Sequence, residues 1–311
     1  MKYLVTGGAG FIGSNIVKEL LKRGEFVRVL DNFSTGKREN VYEFSGNPNF
    51  ELVEGDLRSF HIARSAVKDI DYVLHQGALP SVPRSINDPI TTNDVNILGT
   101  LNILEAAKEF NVRRVVYASS SSIYGNSDVL PKKEDMPAAP LSPYAISKYT
   151  GERYCQVYYE LYGMETVSLR YFNVFGPNQN PNSQYSAVIP KFIKLIHERK
   201  QPVIYGDGSQ TRDFTYVSNN VEANLLACTA KGAPGQVFNI ACGERFPLIE
   251  IVTRINDILG AHVEPVFEKE RPGDVKHSLA DIEKAKNVLG FDVKTNLKEG
   301  LEKLIESELR R

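Results

Sequence analysis

Residues 6–14 read TGGAGFIGS, and this run restricts the fold more than any other part of the chain. It follows an apolar stretch, Lys2–Thr6, with the composition of a buried strand. It also opens an amphipathic helical pattern from Ile12 to Lys22. Gly7, Gly10 and Gly13 permit a tight strand-to-helix turn and let backbone N–H groups at the helix start approach a diphosphate. A second apolar run, Phe26–Leu30, ends in Asp31. A carboxylate there accepts hydrogen bonds from a ribose 2′-OH and repels a 2′-phosphate, so the pattern predicts NAD over NADP. Asp56 and Leu57 come after a third such run, Phe50–Glu54, and are placed to meet the adenine; the alternative for Asp56 is a helix N-cap.

Short strand candidates recur at Tyr72–His75, Arg114–Ser119 and Thr166–Arg170. Helical patterns separate them, notably Ile97–Phe110 and Pro143–Leu161. This alternation predicts an α/β fold, a Rossmann-type doubly wound parallel sheet with helices on both faces. Ligands of such sheets bind beyond the carboxyl ends of the strands. After about residue 175 the texture becomes polar and turn-rich, with helical stretches at Ile189–Arg199, Val217–Lys231, Leu248–Leu259 and Asp281–Leu289. The expected division is a dinucleotide-binding domain over 1–174, with 214–236 packing back on it. A smaller mixed α/β substrate-binding lobe takes 175–213 and 237–311.

Composition removes several classes of function. Lys and Arg total 37 against 38 Asp and Glu, so no net field draws the chain to nucleic acid or an anionic membrane. No stretch of about 18 apolar residues and no leader-like N-terminal pattern occurs, so a cytoplasmic location is expected. The 3 cysteines and 5 histidines fall in no ligand spacing, which predicts reduced core thiols and no metal site.

Ser142-Pro143-Tyr144-Ala145-Ile146-Ser147-Lys148 has the form of a helix start, with Ser142 as N-cap and Pro143 at the first helical position. Tyr144 and Lys148 then share a face. Bringing a phenol from a pKa of about 10 to near 7 takes about 4 kcal/mol. One cation at about 4 Å supplies roughly that much at an effective dielectric of 20, so Lys148 is expected to pull the phenol down. Upstream lies YASSSSIYG (117–125), a serine run at a strand end rather than in a linker.

Together, TGGAGFIGS, SSSSIYG, YAISK and LRYFNVFG resemble the extended short-chain dehydrogenase/reductase family and, within it, the UDP-hexose 4-epimerases. The resemblance runs essentially from end to end. It implies NAD as cofactor, held by the glycine loop with Phe11 and Ile12, and by Asp31, Asn32, Asp56, Leu57, Gln76 and Ala78. It implies Ser120 as the hydroxyl on the reacting sugar oxygen, with Ser121 its near competitor, Tyr144 as base, and Lys148 as its partner and holder of the nicotinamide ribose. Asn173, Arg212 and Arg271 match groups that grip the UDP diphosphate, as arginine's planar fork suits phosphate oxygens. Val188 and Tyr205 match uracil-contacting positions. Ser81, Arg84, Asn96 and Asp274 match segments lining the substrate cleft. Members of the family commonly form homodimers through two helices per subunit, here Ile97–Phe110 and Pro143–Leu161.

The family opens several reactions by the same oxidation at C4, and the neighbours decide the outcome. Its dehydratases carry an Asp-Glu pair where this chain has Ser121 and Ser122, and a hydroxyl without a base cannot remove a C5 proton at neutral pH. Returning the hydride to the opposite face, 4-epimerisation, is what remains. Ser278 falls where the family alternates between a bulky and a small residue, and a small one leaves room for an N-acetyl group. Activity on UDP-GlcNAc/UDP-GalNAc as well as UDP-Glc/UDP-Gal is therefore expected. A UDP-glucuronate 4-epimerase, with Arg84 as the cation near C6, is the alternative enzyme. A non-catalytic dinucleotide sensor would be expected to lack the serine, tyrosine or lysine.

Overall fold

The computed structural model describes residues 1–180, 188–269 and 276–309. Its centre is a parallel sheet built from β1 (Lys2–Thr6), β2 (Phe26–Asp31), β3 (Phe50–Glu54), β4 (Tyr72–His75), β5 (Arg114–Ser120) and β6 (Thr166–Tyr171), with Val237–Ile240 as a seventh strand. From one edge the order is Val237–Ile240, β6, β5, β4, β1, β2, β3, and every neighbouring pair is parallel. The order reverses between β1 and β4, which opens a crevice at their carboxyl ends where Thr6 pairs with His75.

Both faces of the sheet are dry. On one, Tyr3, Val5, Val29, Val116 and Leu169 bury against the helices Phe11–Lys22 and Val217–Thr229. On the other, Leu4, Leu30, Val73, Val115 and Tyr117 meet the helices Phe60–Val67, Gly99–Glu109 and Pro143–Tyr162. The strands therefore carry apolar residues at consecutive rather than alternate positions. Each fully buried Val, Leu or Ile contributes about 1.5–3 kcal/mol relative to exposure.

The second lobe has its own core. Ile189, Phe192, Ile196, Ile251, Ile255, Leu301 and Leu304 pack together from the helices Val188–His197, Leu248–Leu259 and Leu297–Leu309, with Ile204 added from the short strand Val203–Tyr205. Not all of 237–311 belongs to it, contrary to expectation. Val237–Ile240 is the outermost strand of the main sheet, and Ala285, Leu289 and Phe291 bury in the core of that sheet. A four-residue strand, VFNI, is too short to carry a period, and only its pairing with β6 reveals where it goes.

Candidate active site

The glycine loop sits at the crevice, and its geometry is intolerant of side chains. A Cβ on Gly13 would lie 2.2 Å from the Gly7 carbonyl oxygen, and one on Gly7, whose φ is +66°, would lie 2.7 Å from the Gly77 Cα. Both obstacles are backbone. Asp31 closes the loop from below: its carboxylate accepts from the N–H of Ala9 at 2.9 Å and of Phe33 at 2.8 Å, while burial pushes its pKa up. A cavity of about 630 Å³ opens over this loop. Gly7, Gly10, Phe11, Ile12, Gly13, Asp31, Asn32, Asp56, Leu57, Gln76 and Ala78 all line it, as do Ser81, Arg84, Tyr144 and Lys148. Asp56 is ion-paired with Arg58, which holds its carboxyl down to about 2.

At the far end of the cavity the helix Pro143–Tyr162 crosses the end of β5. Ser142 caps that helix, its Oγ accepting from the Ala145 N–H at 3.1 Å. Tyr144 and Lys148 face β5, one turn apart. Burial pushes the Tyr144 phenol up, and a hydrogen bond with Ser120 pulls it back. Ser120 Oγ accepts from the Ser122 N–H at 3.2 Å and from the Ser122 hydroxyl at 2.9 Å. Both lone pairs are thereby used, and the Ser120 proton is free to point at Tyr144. Lys148 does not do the expected pulling. Its ammonium donates to the Ala118 carbonyl at 2.8 Å and lies 5.2 Å from the Tyr117 ring, with burial pushing it down to about 8. The helix sets Tyr144 beyond the strand end and Lys148 over it, so the two head groups address different atoms of β5.

Asn96, expected at the cleft, is 1% exposed and absent from the cavity lining. Its amide accepts from the Leu79 N–H at 2.7 Å and donates to the Leu79 carbonyl at 3.2 Å and the Ser147 hydroxyl at 3.0 Å. It anchors the segment after β4 to the Tyr144 helix and has no free polar atom to offer a sugar. Next to it, the Thr100 hydroxyl donates to the Asn96 carbonyl, so His75 Nε2–H must donate to Thr100 and Nδ1 accept from Thr6. Burial, with a smaller push from the Lys148 charge, takes His75 down to about 3.

In the second lobe Asn173 Nδ2 lies 2.9 Å from the Asp213 carbonyl and 3.4 Å from Ser278 Oγ, and the Ser278 N–H donates to the Thr211 carbonyl at 3.0 Å. Asn173, Arg212 and Ser278 are therefore gathered at one place. Val188 opens its helix and Tyr205 ends the strand Val203–Tyr205. Neither these five residues nor Ser120 and Ser121 are among the described lining of the cavity. Arg271 and Asp274 lie outside the described residues.

Residues 3–241 match the NAD dependent epimerase/dehydratase family. The chain belongs to this family. It is 37% identical over 308 residues to the UDP-glucose 4-epimerase of Mycolicibacterium smegmatis, the match covering 98% of each chain. Among solved structures it is similar to a UDP-N-acetylglucosamine 4-epimerase from Methanobrevibacter ruminantium M1 in complex with UDP-N-acetylmuramic acid (TM-score 0.95, 40% identity, 99% of this chain and 98% of that one). It is also similar to the UDP-glucuronic acid 4-epimerase from Bacillus cereus in complex with UDP-glucuronic acid and NAD (TM-score 0.92, 34% identity, 100% and 99%).

The glycine cradle and the cavity above it fit the NAD on which this epimerase/dehydratase family depends, since the space a Cβ would fill is left to the ligand. Sequence reasoning missed several residues of that cavity, among them Lys37, Asn40, Ser119 and Tyr171. Tyr171 stands two positions before Asn173 in the motif already singled out. It is held in a closed ring, donating to Gln76 Oε1 at 3.2 Å and accepting from Asn224 at 2.7 Å, while Gln76 donates to Asn224 at 3.0 Å. Its position at the carboxyl end of β6 was the available signal. Lys37, in the loop after β2, and Asn40, in the short helix Glu39–Tyr42, have no such marker.

Proposed function

We propose that the protein, an NAD-dependent UDP-sugar 4-epimerase, interconverts UDP-GlcNAc with UDP-GalNAc and UDP-Glc with UDP-Gal through a transient 4-keto sugar. The glycine loop and Asp31 would hold NAD, which would supply the hydride acceptor and donor for C4. Tyr144, as phenolate, removes the proton of the C4 hydroxyl and later gives it back. Ser120 gives its one hydroxyl proton to the phenolate and, once Tyr144 has taken the C4 proton, turns it to the sugar oxygen. Lys148 holds the end of β5 through the Ala118 carbonyl and would hold the nicotinamide ribose. Asn173, Arg212 and Arg271 hold the UDP diphosphate, Val188 and Tyr205 the uracil, and Ser278 leaves room at C2.

The observation that carries this reading is the hydrogen bond of Ser120 to Tyr144, which lines the cavity, with no free carboxylate among the described lining residues. Among the described lining residues the carboxylates are Asp31 and Asp56. Asp31 is bound to the glycine loop and Asp56 to Arg58. The absence of a free carboxylate among the described lining residues favours return of the hydride over elimination of water. A second reading, UDP-glucuronate as substrate, rests on Arg84, which lines the cavity and can offer a cation to a sugar carboxylate.

The test incubates the purified protein, without added NAD, separately with UDP-GlcNAc, UDP-Glc and UDP-glucuronate, and separates products by chromatography. Conversion of the first two to their 4-epimers is expected, with none by Tyr144→Phe. Conversion of UDP-glucuronate alone selects the second reading, and full turnover by Tyr144→Phe refutes the mechanism. A homodimer belongs to the same proposal. Leu98, Ile146 and Leu161 are 42%, 50% and 70% exposed on or beside the two helices expected at the interface.

A further inference from the structure

Tyr144, Lys148 and Glu152 recur every four residues and so form one row along the helix Pro143–Tyr162. The first two reach the end of β5. The third is 1% exposed and carries a charge into the interior. Its Oε1 accepts from Arg170 Nη2 at 2.6 Å, and its Oε2 accepts from Arg170 Nε at 3.0 Å and from the Ser119 hydroxyl at 2.7 Å. Arg170 is 4% exposed, pairs with Ser119 across β5 and β6, stacks over the Tyr124 ring at 4.7 Å and donates to the Glu134 carbonyl.

Three consecutive residues of β5 thus each hold a different turn of one helix: Ser120 with Tyr144, Ala118 with Lys148, and Ser119 with Glu152. Helix and strand are also unusually close here. A Cβ on Gly151 would lie 2.3 Å from the Tyr117 hydroxyl, so Gly151 lets the helix settle onto the strand beside Glu152. A buried ion pair contributes little net stability compared with apolar residues of the same shape, and its best-attested use is to select one register. Sliding the helix by one residue would move Tyr144 by about 1.5 Å along its axis.

We propose that Glu152 is a positioning residue. Its bonds to Arg170 and Ser119 fix the axial register of the helix on β5 and β6, and so the placing of Tyr144 over Ser120. This rests on the reading of Tyr144 as the proton-transferring group.

The test compares Glu152→Met/Arg170→Leu, which removes both charges at similar volume, with Glu152→Met and Glu152→Gln. The double variant is expected to keep its melting temperature, bound NAD and KM for the UDP-sugar while kcat falls about 100-fold, the scale of a 1 Å misplacement. Glu152→Gln, which keeps an acceptor for Ser119, is expected to recover part of the loss of Glu152→Met. A wild-type kcat in the stably folded double variant overturns the proposal, because a purely structural pair would behave that way. Should the wild-type protein convert none of the nucleotide sugars, the functional reading fails by itself. The register claim is then decided by crystal structures of wild type and double variant: a displaced Tyr144 supports it and an unmoved one refutes it.

Discussion

Replacing Ser120 by alanine removes one hydroxyl whose surroundings fix its task. Ser122 fills both of its lone pairs, so what is lost is the one donor that reaches Tyr144. A hydrogen bond to a charged group contributes about 1.5–3 kcal/mol. At 1.36 kcal/mol per factor of ten, kcat at neutral pH should fall about 10- to 100-fold. The causes acting on the phenol set the sign of the pH effect. Burial pushes Tyr144 up and Ser120 pulls it down, so without Ser120 only the upward push is left. The phenolate is the active form, so the rising limb of kcat against pH must move to higher pH. There it meets the deprotonation of Lys148, which burial has brought down to about 8, so the lost activity does not return fully in alkali. The assay is a pH–kcat profile for wild type, Ser120→Ala and Ser121→Ala, with Ser121→Ala close to wild type. An unmoved limb in Ser120→Ala, or an equal loss in Ser121→Ala, would refute the argument.

Two further outcomes are expected. Gly13→Ala sets a Cβ 2.2 Å from the Gly7 carbonyl; it should strip bound NAD, read by absorbance, and cost about 1–3 kcal/mol of stability in denaturant, while Gly46→Ala, with open space around it, should do neither. His75 is held near 3 in the folded protein against an ordinary 6.5, so its contribution is present above about 6.5 and is lost as pH falls toward 3, by up to about 5 kcal/mol; melting curves should be steeper in acid for wild type than for His75→Gln, and equal slopes would be the contrary result.

The parallel sheet was legible because the chain marks its strands twice, by apolar runs and by the residues at their carboxyl ends. β1 is marked by Lys2–Thr6 with the glycines behind it, and β2 by the run from Phe26 with Asp31 at its end. The helix Phe60–Val67 had no comparable marker beyond Ser59, whose Oγ accepts from the Ile62 N–H. The helix Leu297–Leu309 lies in a stretch with many charges, and its apolar positions, Leu297, Leu301, Leu304 and Ile305, have meaning only against the other helices of the lobe. Local pattern identifies an element whose partner is guaranteed, such as a strand inside a sheet. It does not identify one whose partner is another weakly patterned helix.

The candidate site divides along the same line. Gly7, Tyr144 and Lys148 could be read because each acts through backbone geometry or helical spacing, both local quantities. Asn96 and Glu152 could not. Asn96 has the same composition and spacing whether its amide faces a sugar or grips Leu79 and Ser147, and only the tertiary contact decides. Glu152 sits four residues beyond Lys148, where spacing alone would make it solvated helix surface. What buries it is Arg170, eighteen residues away on β6. A carboxylate's role is set by which cation the fold brings to it, and that is a property of strand order rather than of sequence. The same holds for the serine run. Ser119, Ser120 and Ser122 are chemically identical, yet one serves Glu152, one Tyr144 and one its neighbour, because alternation along β5 and the turn after it point them in three directions.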